Sequence, residues 1–288
     1  TVFITSPAIF IAAVTPENLN TTFWIVVILA YYILATLLPI DKVIGKIYPV
    51  FGIVLILMVV LVAGGIIVQG YHIPELTFAN LHLDKLNPWP FMFITVACGA
   101  ISGFHATQSP MMARCIKTEK DARRVFYGAM VTEGIIALVW AAAGVAFYEG
   151  TGGLQAALAQ MGQSGVVYDI SSKLLGPVGG VLAILGVVVC PITSGDTAFR
   201  SARLTIADAF GLDQKNIAKR LVLTLILLGI GGALTLLDFN IIWRYFSWAN
   251  QTLACIVLWA CAVYLRQHAG RFPCIACGLP AAFMSAVS

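Results

Sequence analysis

Residues 98–115 of the 288-residue chain read CGAISGFHATQSPMMARC. Gly99, Ser102, Gly103, His105, Thr107, Gln108 and Ser109 crowd into a run otherwise apolar enough to enter a bilayer, and Pro110 follows them. Polar and ionisable side chains are costly at that depth and are functional candidates by default. Non-helical backbone is tolerated there only where protein buries it or where it lines a cavity. The glycines, His, Gln and Pro together predict non-helical backbone within 99–110, with the polar groups forming a substrate-binding surface. Ser102 taken alone reads as a packing hydroxyl, because small polar residues populate interfaces between membrane helices.

A second cluster lies in CPITSGDTAFRSAR, from Cys190 to Arg203. Thr193, Ser194 and Thr197 offer hydroxyl oxygens, and Pro191 frees a carbonyl. A hard cation such as sodium takes oxygen ligands of this kind. Pro191 and Gly195 predict a kink or break near 190–196. Asp196 and Arg200 are four apart, on one helix face, and form either a gating or coupling pair or an internal ion pair that lets two charges exist in the membrane. Glu133 stands in GAMVTEGIIALVW, about 13 Å beyond Arg124 at 1.5 Å per residue. A carboxylate there suits proton binding and release; His105 is a second proton candidate, and a packing role is the alternative for Glu133. Asn250 and Gln251 extend the substrate-binding set from a later segment, while Arg244 reads as a snorkelling residue.

These residues need helices to hold them. The chain is 60% hydrophobic and 10% charged, against about 25% charged in soluble domains. Eight apolar segments are predicted at about 22–38, 48–69, 90–113, 124–148, 178–206, 218–236, 241–265 and from 272 onward. Each complete one is long enough to span a core of about 30 Å. Of the 17 Lys and Arg, 14 fall in the loops 39–47, 114–124, 200–220 and 266–271 and 3 in the intervening loops. That alternation is a positive-inside pattern and places the basic loops in the cytoplasm. The basic loops also suit contact with anionic lipid, although orientation alone explains them. The loop 149–177 carries two short amphipathic stretches, 154–161 and 166–175, too polar to span. Pro39 and Gly45 are expected to punctuate a short turn between the first two spans.

The expectation is an all-α polytopic bundle forming one transmembrane domain over 1–288, with about seven complete spans and one truncated span. Thr1 in place of Met, and an apolar stretch running to Ser288, predict an interior piece of a longer chain whose N-terminal helices are partners missing here. Seven cysteines suggest no disulfide framework, and Cys274 and Cys277 near His268 lack the second pair a zinc site needs. No metal, cofactor or nucleic-acid motif is read.

The stretches LPIDKVIGKIYPVFG, ACGAISGFHATQSPMMAR and CPITSGDTAFRSARLTIADAF resemble the carbon starvation protein A family over nearly the whole chain. The resemblance implies an inner (cytoplasmic) membrane transporter of bacteria or archaea that imports small organic nutrients, peptides or pyruvate, by alternating access. The family's GPGPLVGP-type segment has no counterpart here. The topology is also similar to the LeuT-like fold of two inverted five-helix repeats, with helices one to three missing. That likeness sets 90–113 as the unwound sixth helix and Thr193 and Ser194 on the eighth, where LeuT-like carriers bind sodium. Coupling to protons or sodium is implied, with no other cofactor. Two further readings stay open: an intramembrane enzyme using His105, Glu133 or Asp196 as acid–base groups, and a nutrient-sensing membrane module. The enzyme lacks a nucleophile–base pair, and the sensor lacks a soluble signalling domain.

Overall fold

The computed structural model describes all residues except 38, 39, 76, 78, 83, 84, 90, 91 and 93–100, and leaves the side chains of 37, 40–47 and 240 undescribed. The described residues form helices and no strand. Helix is what an apolar chain must adopt in lipid, since every backbone N–H and C=O has to be paired within its own segment. In order these are α1 (Val2–Val14), α2 (Thr21–Leu37), α3 (Ile40–Val68) and α4 (Gly103–Ala113). There follow α5 (Glu119–Phe147, π-helical over Arg123–Gly128), α6 (Thr151–Ala209), α7 (Ile217–Ala233), α8 (Phe239–His268) and α9 (Arg271–Val287). Five of the described helices are long and apolar enough to cross a membrane: those of Tyr48–Val68, Glu119–Phe147, Thr151–Ala209, Ile217–Leu236 and Ile241–His268.

Contacts divide the chain into two compact units, Thr1–Leu83 with Thr132–Leu237, and Asp84–Val131 with Asp238–Ser288. In the first unit, α3, α5 and α6 share a core of Met58, Val62, Ile66, Ala143, Ala146, Ile170 and Ala183. A second core joins Ile4 and Ala8 of α1, Ile28 and Tyr32 of α2, and Leu228 of α7. In the second unit α8 packs along α9, with Ala254, Ala262, Ala281 and Met284 buried. The Trp259 indole N–H donates to Ser285 Oγ across that pair at 3.1 Å. Small residues recur at these contacts because they let helix backbones approach closely.

Local sequence sets several helix starts. The Asn20 side chain accepts the Phe23 N–H at 2.9 Å, and Asn216 accepts those of Ala218 and Lys219 at 2.9 and 3.3 Å. Both satisfy backbone donors that a first helical turn leaves open.

Three expectations are corrected. The thirteen-residue α1 was not among the predicted segments, being shorter than a span and carrying Ser6 and Pro7. Helix α3 begins at Ile40 and runs through Gly45 and Pro49, so the predicted turn is shorter than its sequence suggests. The third concerns α6, which keeps helical dihedrals through 190–196; its non-helical positions are Gly162 (φ 68°) and Gly176 (φ 64°). Proline removes one hydrogen bond, whereas a left-handed φ turns the chain, and only glycine adopts it cheaply. These glycines divide α6 into two short N-terminal pieces and a long span, in agreement with the two short helices expected over 149–177.

The N-terminal pieces of α6 are tied to the end of α5. The Tyr148 hydroxyl donates to Asp169 Oδ2 at 2.8 Å, and Lys173 Nζ lies 2.9 Å from Asp169 Oδ1 and 5.8 Å from the centre of the Phe147 ring. Burial, and then the hydrogen bond and charge of Asp169, push the Tyr148 phenol above its ordinary range. A raised phenol favours the folded state below the unfolded tyrosine value of about 10, and that contribution is lost as pH rises through the folded value. Hydrogen exchange over 163–175 should therefore stay slow up to about pH 10 and accelerate above it. Tyr148→Phe should remove that alkaline transition.

Candidate functional site

In the second unit, Ile101 and Ser102 leave helical geometry, and α4 starts at Gly103. Ser102 is extended (φ −91°, ψ 133°) and its Oγ accepts the Phe104 N–H at 3.1 Å. Non-helical backbone, predicted within 99–110, is thus present at Ser102, while Gly99 lies outside the described residues. Gly103 faces α8 so closely that a Cβ would stand 2.5 Å from the Asn250 carbonyl oxygen and 2.8 Å from Leu253 Cβ. Backbone cannot retreat as a flexible side chain can, so this position requires glycine.

Beside that contact lies a cavity of about 240 Å³ lined by Ser102, His105, Ser109, Met130, Ala254 and Val257, among others. Asn250 and Gln251 are buried on α8, and among the described residues Asn250 Nδ2 has no hydrogen-bond partner. The hydroxyls of α4 turn largely onto their own helix. Thr107 donates to the Phe104 carbonyl at 2.7 Å, Ser109 to that of His105 at 2.8 Å, and Gln108 to Thr107 Oγ1 at 3.1 Å. The structure thus brings Ser102, His105 and Ser109 to one cavity and sets Thr107 and Gln108 outside its lining.

The first unit holds the other cluster. Asp196 is 5% exposed and accepts from Arg200 at 3.2 Å, the pair expected from their spacing. Arg203, 9% exposed, lies one further turn along and points an N–H at Thr224 Oγ1 of α7 at 3.5 Å. These groups share a cavity of about 10 Å³ with Tyr32 and Thr36 of α2, room for about one water molecule. The Tyr32 hydroxyl donates to the Phe3 carbonyl at 3.2 Å and leans on Gly195, where a Cβ would overlap it. Gly195 therefore serves helix packing. The sodium candidates are turned along their helix: Thr193 donates to the Cys190 carbonyl at 2.9 Å, and Thr197 to those of Thr193 and Ser194. Thr193 also borders a cavity of about 180 Å³ between α3 and α6, with Tyr48 and Cys190. Glu133 is exposed on α5. Among the described residues no group of three His, Cys, Asp or Glu is placed to hold a metal.

Arg203, Thr224, Tyr32 and Thr36 were not singled out in the sequence. Arg203 had a signal: Asp196, Arg200 and Arg203 fall at i, i+4 and i+7, one helical stripe. Thr224 and Tyr32 had none, because only packing brings α2 and α7 to that stripe.

Such buried charges and interrupted backbone, in a helical chain with several spans, define a polytopic membrane protein with an internal polar site. A family model described as "Carbon starvation protein CstA" matches residues 6–163 and 141–288, and the chain belongs to that family. It is 47% identical over 154 residues to an "Uncharacterized membrane protein" of Haemophilus influenzae, across 47% of this chain and 42% of that protein. Against the "Peptide transporter CstA" of Escherichia coli it is 28% identical over 247 residues, 62% of this chain and 35% of the relative. The "Pyruvate/proton symporter BtsT" of Escherichia coli is 40% identical over 75 residues, 23% of this chain and 10% of the relative. The chain thus spans less than half the length of these relatives. No solved structure matches.

Two glycine substitutions test the packing. Gly103→Ala should separate α4 from α8, and Gly195→Ala should separate α2 from α6, each costing about 1–3 kcal/mol as overpacking does. Tyr32→Phe removes the hydroxyl in the way and should partly restore Gly195→Ala while leaving Gly103→Ala unchanged. Thermal unfolding in detergent reads all four variants.

Proposed function

We propose that the chain forms part of a secondary active transporter that moves small organic nutrients across the cytoplasmic membrane of a bacterium or archaeon by alternating access. The observation that carries this reading is the start of α4. There extended backbone at Ser102 meets a polar-edged cavity containing His105, beside a buried amide on Asn250. Irregular backbone at membrane depth belongs where it lines a cavity, and transporters use broken helices in this way. The relatives' names support peptides or pyruvate as cargo. A LeuT-like arrangement of inverted repeats is part of the proposal. In it α4 is the inner half of the sixth helix and the long span of α6 is the eighth.

Coupling to protons is favoured over sodium. The hydroxyls of Thr193 and Thr197 already donate to carbonyls of their own helix, which leaves them less free to coordinate a cation. Asp196, His105 and Glu133 can each carry a proton.

Uptake of labelled pyruvate and dipeptides into vesicles, with imposed proton or sodium gradients, tests the reading. The wild type should accumulate at least one of them on a proton gradient and gain nothing from sodium. Thr193→Ala with Ser194→Ala should leave uptake unchanged. Glu133→Gln fixes the neutral form; if Glu133 carries the coupling proton, accumulation should fail while exchange without a gradient survives. Accumulation at the wild-type level would make Glu133 a packing residue. Absence of uptake for every solute would reject the transporter reading.

A further inference from the structure

The basic side of the Asp196 cavity is larger than the pair it encloses. Arg200 and Arg203 both line it, and Arg220, from the first turn of α7, stands close enough to Arg203 to repel it. Among the described residues two guanidiniums, those of Arg200 and Arg203, therefore face Asp196, with Arg220 behind Arg203. Among the described residues Arg203 Nε and Arg220 Nε are buried without a hydrogen-bond partner, and Arg203 has no carboxylate within ion-pair distance. Burying like charges side by side is unfavourable unless a counter-charge and hydrogen-bond acceptors compensate them. An arginine fork is shaped to receive a carboxylate through two parallel N–H···O bonds.

We propose that Arg203, with Arg200, is a binding site for the carboxylate of a small organic anion. In the state seen here Asp196 holds the place of that carboxylate on Arg200. This deepens the transporter reading and rests on it for the identity of the anion as cargo. The cavity has room for about one water beside Asp196. An incoming carboxylate must therefore displace Asp196 from Arg200 instead of sitting next to it. Once displaced, Asp196 is a buried carboxylate without its counter-charge, and it is neutralised by a proton drawn from solution onto one carboxylate oxygen. One carboxylate bound then means one proton bound. Among the described residues no other group around Asp196 matches that role. Tyr31 and Tyr32 face it from α2 and Tyr48 from α3, all phenols; α1 presents Phe3, and α7 presents Arg220 toward Arg203.

The test is equilibrium binding to the full-length protein in nanodiscs, with pyruvate and acetate as probes and the neutral ester methyl pyruvate as control. A pH indicator in weakly buffered solution counts protons. The wild type should bind both carboxylates, reject the ester, and take up about one proton per anion. Arg203→Gln should weaken binding by about tenfold or more, a factor equal to about 1.4 kcal/mol, and Arg203→Lys should recover only part of it. Asp196→Asn removes the competitor, so it should bind pyruvate more tightly and take up no proton. Misfolding cannot mimic that gain. Wild-type affinity in an Arg203→Gln protein of unchanged melting temperature would overturn the proposal. So would proton-free binding in the wild type, weaker binding in Asp196→Asn, or no carboxylate binding at all. Parallel uptake in proteoliposomes separates the two readings. A protein that binds pyruvate through Arg203 but carries no solute keeps the anion site and loses the transporter.

Discussion

A carboxylate and two guanidiniums around a cavity with room for about one water set the terms for the first unit. Charges cannot be left bare in such a place, so their neighbours must supply either counter-charge or hydrogen bonds. Asp196 and Arg200 do the first for each other at 3.2 Å, and Thr224 does part of the second for Arg203. The apolar core of Ile4, Ala8, Ile28, Tyr32 and Leu228 then fixes α1, α2 and α7 around that stripe of α6. Gly195 is the point of closest fit, because Tyr32 reaches the α6 backbone only where no side chain stands. Polar cluster and apolar core are thus mutually dependent: the helices bury the charges, and the charges determine which helix faces can meet.

The second unit solves a different problem. There α4 starts from extended backbone at Ser102, and the open N–H groups of its first turn must find partners. The serine side chain caps the new helix, and Gly103 brings it hard against α8. What results is a cavity with hydroxyl and imidazole on one wall and apolar α8 side chains on the other. Both units place their polar residues beside glycines, because a close helix contact is also what excludes lipid from a polar group.

Much of this was legible in the residues. Apolar runs between basic loops located most of the helices to within a few positions, since length and hydropathy are local properties. The interruption near Ser102 could be read because Gly, Ser and His in an apolar run have no other economical explanation. Asp196 with Arg200 followed from helical spacing alone. The short α1 escaped because its length falls below that of a span, and the signal used was length. Pro191 misled, since a proline deep in a long helix can be absorbed with helical dihedrals, whereas Gly162 and Gly176 carried the actual breaks. Thr224, Tyr32 and Thr36 were invisible because their role depends on which helices meet.

The absent side chain at Gly103 has a further effect on the neighbouring cavity. Where two helices touch through a carbonyl oxygen and a bare Cα, their separation is set by main chain and not by rotamers. The frame of the cleft is then independent of the residues that furnish it. A change at Ala106 or Val257, both on its wall, resizes the cleft without moving either helix. Room in the cleft and rigidity of the scaffold become separable properties, adjustable one residue at a time.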